Sequence, residues 1–192
     1  EAAPAWSTPS APATPGTGSS ITGCPISPRG FAQNHTITLD AGEWKGALEP
    51  GDLVLEIHIP EGEALTPQSC RDSFLAAREF FSEQYPQHSI SAFACYSWLL
   101  NTQLETMLRP GSNLAAWQHE LYLFPVPSTG RDGLYFVFCR DEIDPATAPR
   151  DTILRRAMAD HLASGQTLRS GGMFFLFDDL PRYGTQYYRS HE

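Results

Sequence analysis

The stretch Gly51-Asp-Leu-Val-Leu-Glu-Ile-His-Ile-Pro60 constrains the fold more than any other, because it carries a strand pattern bounded at both ends. Leu53, Leu55, Ile57 and Ile59 alternate with Asp52, Val54, Glu56 and His58, the period of two that sends successive side chains to opposite faces of a sheet. Pro50-Gly51 turns the chain into it, and Pro60, with no N–H to give to a ladder, ends it. We expect this stretch to be the central strand of the molecule. Its second face sets Glu56 and His58 two residues apart where the strand gives way to a loop. An acid beside an imidazole reads either as a proton-handling pair or as an ordinary solvated face.

The rest of the chain has room for one globular domain and some flank, 192 residues in all. The net charge is −9 and the basic residues are scattered singly except at Arg155-Arg156. That argues against nucleic acid or an anionic membrane as partner. No apolar run approaches the roughly 20 residues of a membrane helix, so a soluble, cytoplasmic protein is expected. Asn34-His35-Thr36 keeps a secreted alternative open, as a formal glycosylation acceptor. Cys24, Cys70, Cys95 and Cys139 lie far apart without a C-x-x-C pair, which predicts buried free thiols and no metal site.

Taken in order, residues 1–20 are rich in Pro, Ala, Ser and Thr and predict a mobile linker with something ahead of it. With the turn chemistry that follows, residues 1–35 form the first segment, 36–178 the domain and 179–192 a polar tail. Thr36 to Leu39 predicts a short strand, and Trp44 and Leu48 a helical turn. Thr66-Pro67 is a helix start, a capping hydroxyl followed by proline at the first helical position. Cys70, Phe74, Ala77, Phe81 and Tyr85 then recur at helical spacing up to Pro86. Ser89 to Cys95 predicts a strand that runs into a helix bearing Leu100, Leu104, Met107 and Leu108, capped by Ser97 or Asn101. Trp117 to Val126 and Leu134 to Cys139 predict an antiparallel hairpin. A helix capped by Asp151 or Thr152 and a doubly apolar strand from Gly171 to Phe177 complete the domain.

Several strings resemble a known family: Leu55-Glu-Ile-His-Ile-Pro60, the Thr66-Pro67 start, Ser73 with Phe80-Phe81, Cys95-Tyr-Ser-Trp-Leu-Leu100 with Gln103-Leu104, and Ser112-Asn113 with Gln118. Together they resemble the GNAT-like C-terminal domain of bacterial two-domain acyltransferases, over roughly Ile37 to Phe177. The resemblance implies an α/β fold of the α+β kind, a mixed and largely antiparallel sheet with helices packed on both faces. It implies transfer of an acyl group from acyl-CoA or a similar thioester to an amine-type acceptor, and an upstream N-terminal acyltransferase domain. The donor's pantetheine would lie where the strand ending at Pro60 splays from the one ending at Cys95. Its phosphates would meet the helix start at Thr66, where free N–H groups and the helix dipole favour anions. His58 or Glu56 would take the acceptor's proton, with Ser97 near the thioester unless it serves only as a cap. Trp98 and Asn113 either contact the donor or pack and order a turn.

One departure from the fold's pattern stands out. The usual Arg/Gln-x-x-Gly-x-Gly/Ala phosphate loop is replaced by Pro60-Glu-Gly-Glu-Ala64, whose carboxylates would repel pyrophosphate. A non-catalytic binding module partnering an upstream domain is therefore the alternative expectation.

Overall fold

The computed structural model describes residues 6–9, 19–60, 62 and 64–187. It contains two four-stranded sheets. The first is built from β1 (Trp6–Pro9), β2 (Ser20–Pro25), β3 (Ile37–Asp40) and β4 (Trp44–Leu48), in the order β3-β2-β1-β4. The second holds β5 (Leu53–Glu56), β6 (Ile90–Ser97), β7 (Tyr122–Pro125) and β8 (Gly171–Leu176), in the order β5-β6-β8-β7. β5 and β6 are parallel, while β8 is antiparallel to both β6 and β7. Backbone bonds from Ala32 N to Leu123 O and from Leu123 N to Gly30 O, each 2.8 Å, tie the segment after β2 to β7.

The helices are α1 (Pro67–Gln84), α2 (Gln103–Met107), α3 (Asn113–Gln118), α4 (Arg131–Phe138) and α5 (Ile153–Ala163). α1 follows its sequence signals closely: the Thr66 hydroxyl accepts from Ser69 N at 3.2 Å, and the helix ends at Tyr85 before Pro86. Its Phe74 is buried and stacks on Phe93 of β6 and Phe175 of β8, with ring centroids 4.7 and 5.7 Å apart. Those rings hold the helix on the sheet. α4 and α5 close over a smaller core of Phe138, Met158 and Leu168.

Several expectations change. β5 is an edge strand, not the central one; β8, buried from Gly171 to Phe175, takes the middle. Trp44–Leu48 is a strand rather than a helical turn, because its backbone pairs with β1. Likewise Trp6–Pro9 of the expected linker is a strand, since a ladder requires backbone groups and not apolar side chains. The other residues between 1 and 18 lie outside those described. Packing also continues across the boundaries drawn at 35 and 178: Cys24 and Ile26 are buried on one side, Leu180 and Tyr183 on the other.

The predicted hairpin is absent. Ser112 caps α3 through Ala115 N, which places Trp117 and Gln118 in a helix and leaves only Tyr122–Pro125 for the strand. Leu134-Tyr-Phe-Val-Phe138 is helical despite its β-prone residues. Leu134, Val137 and Phe138 fall on one helical face against α5, and this packing outweighs local preference. Among the cysteines, Cys24 and Cys95 are buried as expected, but Cys70 is half-buried and Cys139 exposed.

Candidate functional site

β5 and β6 pair only from Leu53–Ile90 to Glu56–Ala94, with one further bond from Ile57 N to Ala94 O at 2.8 Å. β6 then continues through Cys95, Tyr96 and Ser97, while the other chain leaves the ladder toward Pro60. The result is a wedge between two parallel strands that part at a fixed point. Leu55, Ile57 and Ile59 turn toward the core and are half-buried; Glu56 and His58 face solvent. The alternation in the sequence is thus preserved beyond the end of the regular strand.

Cys95 lies on the floor beside this wedge. Burial, with a smaller contribution from the Glu56 charge, pushes its thiol up to about 11, so it stays protonated at neutral pH and is no nucleophile. Ser97 ends β6 and its Oγ accepts from Leu99 N at 3.2 Å, capping the 3₁₀ turn Trp98–Leu100. That bond uses a lone pair and leaves the hydroxyl proton to donate elsewhere. Asn101 caps the next turn, its Oδ1 accepting from Gln103 N at 3.0 Å. Each of the two capping candidates therefore serves one of two successive turns.

Trp98 is half-buried, stacked on Phe136 with centroids 6.3 Å apart. A residue that sequence reasoning quoted without a role organises the junction: buried Gln118 donates its Nε2 to Leu99 O at 2.7 Å and to Asn101 O at 3.2 Å. The signals for it were its place in the family strings and a polar residue directly after Trp117, following the apolar run Leu114 to Trp117. Gly171 is fixed by the same junction, because a Cβ there would come within 2.2 Å of Leu100 O. At the α1 start Thr66 is committed to capping, and no acidic residue occupies the first turn. Glu61 and Glu63 lie outside the described residues. Asn113 stands exposed at the first position of α3.

A cavity of about 470 Å³ opens at the same end of the sheet, between Leu100-Asn101-Thr102, the loop after β7 and the segment before β8. Ser128 Oγ accepts from Ser170 N at 2.8 Å and so joins the two loops. Arg169 lines the cavity too. No spacing in the sequence unites these residues. Among the described residues no group of three or more His, Cys, Asp and Glu is placed to hold a metal ion. No helix of these residues is long and apolar enough to cross a membrane.

The model of one family, the GNAT-like C-terminal domain, matches residues 21–175. The chain belongs to that family. The GNAT-like domain also resembles solved acyltransferases. One, in complex with decanoyl-CoA and teicoplanin, is 28% identical with a TM-score of 0.57, over 63% of this chain and 40% of that one. Another, with CoA and 10C-teicoplanin, matches at 28% and 0.57, over 64% of this chain and 40% of that one. A third, with decanoyl-CoA, matches at 27% and 0.58, over 68% and 42%. This GNAT-like domain thus spans about two-fifths of the acyltransferases it matches. No protein of curated function matches it. Its mixed sheet, with the parallel β5–β6 pair opening beside α1, is a GNAT-like acyltransferase fold.

Proposed function

We propose that this domain binds an acyl-CoA-type thioester along the β5–β6 wedge and takes part in passing its acyl group to an amine-type acceptor. The parting of the two strands after Ile57 and Ala94 carries this reading. A strand edge released from its ladder offers backbone donors and acceptors to an amide-bearing pantetheine arm. The first turn of α1, free of carboxylates, suits the phosphates. His58, exposed beyond the split, is the proton acceptor for the attacking amine, with Glu56 the second candidate. The Ser97 hydroxyl proton is available to the departing thiolate. Trp98 and Asn113 are donor contacts in this reading. The cavity beside Leu100 is the approach for the acceptor.

Similarity to acyltransferases crystallised with CoA, decanoyl-CoA and teicoplanin supports a small-molecule donor and acceptor. Because the chain covers about two-fifths of those proteins, we propose that an upstream acyltransferase domain completes the enzyme, in the cytoplasm where acyl-CoA is made. Glu61 and Glu63, standing where the phosphate loop would be, favour a second reading: a non-catalytic module that supports such a partner. Calorimetric titration with CoA and decanoyl-CoA separates the two. Saturable binding is expected, and its complete absence would sink the first reading.

A further inference from the structure

A second cavity, about 540 Å³, lies at the opposite end of the main sheet, between β4, the C-terminal half of α1, the start of β6 and the end of β8. Lys45, the chain's single lysine, and Arg78 both line it, with Ser82, Ser91 and one carboxylate, Asp178. Neither Lys45 nor Arg78 forms an ion pair or a side-chain hydrogen bond among the described residues, whereas Arg131, Arg150, Arg155 and Arg182 each reach a carboxylate. The Ser91 Oγ is buried at this wall without a hydrogen-bond partner. Lys45 and Arg78 are both exposed and share this concavity with the single carboxylate of Asp178, so in a chain of net charge −9 the cavity itself carries an excess of positive charge that an anion complements.

We propose that this cavity is a binding site for a small, phosphate-sized oxyanion. Lys45 and Arg78 supply the charge-assisted bonds, and exposed Ser82, which also lines the cavity, offers a further hydroxyl donor. The site is distinct from the thioester's own phosphates, which the proposed function assigns to the α1 start. Arg78 lies twelve residues beyond Thr66, a displacement of about 18 Å at 1.5 Å per residue. The walls come from both sheets, β4 on one side and β6 and β8 on the other. An occupant therefore joins the two sheets and stabilises the fold by mass action.

Thermal unfolding of the chain in sodium phosphate, against sodium chloride at matched ionic strength, tests this. Phosphate is expected to raise the midpoint saturably and chloride to leave it unmoved. Lys45→Gln and Arg78→Gln should each weaken the apparent phosphate affinity roughly tenfold, the loss of one charge-assisted bond, while Asp178→Asn strengthens it. The phosphate effect should persist unchanged in saturating CoA. Equal shifts with chloride, unaltered affinity in Arg78→Gln, or displacement of phosphate by CoA would each overturn the site. Failure to bind CoA would instead count against the proposed function and leave this result standing.

Discussion

β5 and β8 are both short apolar runs in one sheet, yet they are used in opposite ways. Gly171 to Phe175 of β8 are buried between β6 and β7, with Phe174 stacked on Tyr122 at 4.9 Å. In β5, Leu53 is 47% and Val54 37% exposed, and among the described residues one edge of the strand has no partner in its sheet. Apolar content made both strands, but neighbours decided which became core. An edge strand that leaves its ladder early gives up pairing and opens a gap beside β6, where the proposed function places the thioester.

The contrast can be broken from its strong side first. Phe174→Ala should cost about 3–5 kcal/mol in urea unfolding, the usual penalty for an aromatic removed from a full core. A loss below about 1 kcal/mol would mean β8 is not the centre. His58→Ala should leave stability unchanged while lowering acyl transfer by about 100-fold or more, the contribution of a positioned base. Unaltered turnover would move the proton acceptor to Glu56 or elsewhere.

A smaller effect belongs to the C-terminal segment. Buried Glu120 accepts backbone bonds from Gly184 at 3.0 Å and Gln186 at 2.8 Å, fastening that segment beside Tyr183 and α1. Burial raises its carboxyl pKa, while the two N–H donors and His119 pull it down less strongly. A raised folded value means that its contribution is complete below the unfolded carboxylate range and is lost as pH rises through the folded value. Glu120→Gln should flatten this part of the stability-versus-pH profile and cost about 1 kcal/mol at low pH. A profile identical to wild type would show that Glu120 does not titrate in this window. The smallest effect is expected on the weak side: Val54→Thr should change stability by under about 0.5 kcal/mol. A larger loss would mean that the edge is covered in solution.

Much was legible where local chemistry and tertiary packing agree. Thr66-Pro67 started α1, Pro86 stopped it, and the alternation at Leu55, Ile57 and Ile59 kept its inward face after regular pairing ended. Where they disagree, packing won. Leu134 to Phe138 carry strand-forming residues, but Gly133 fits beneath Trp98 and Phe138 meets the Met158 cluster only in a helix. The wedge was legible as a family resemblance and not as spacing. Gln118 was named only within the family strings, and Ser128 and Arg169 were given no place in the site, because their relation to it comes from segments far apart in sequence.

By itself, then, the sequence determined the existence of a strand before Pro60, which the structure ends at Glu56, the cap of α1, and the polar pair of Glu56 and His58; for the α5 cap it left Asp151 or Thr152, and the structure takes Thr152. Each depends on residues within one or two turns of one another. Only the tertiary structure decided that this strand is an edge, that it parts from β6 after Ala94, and that Lys45 and Arg78 share a cavity. Those are relations between elements 30 or more residues apart, fixed by which apolar faces bury one another best, and no local pattern encodes them.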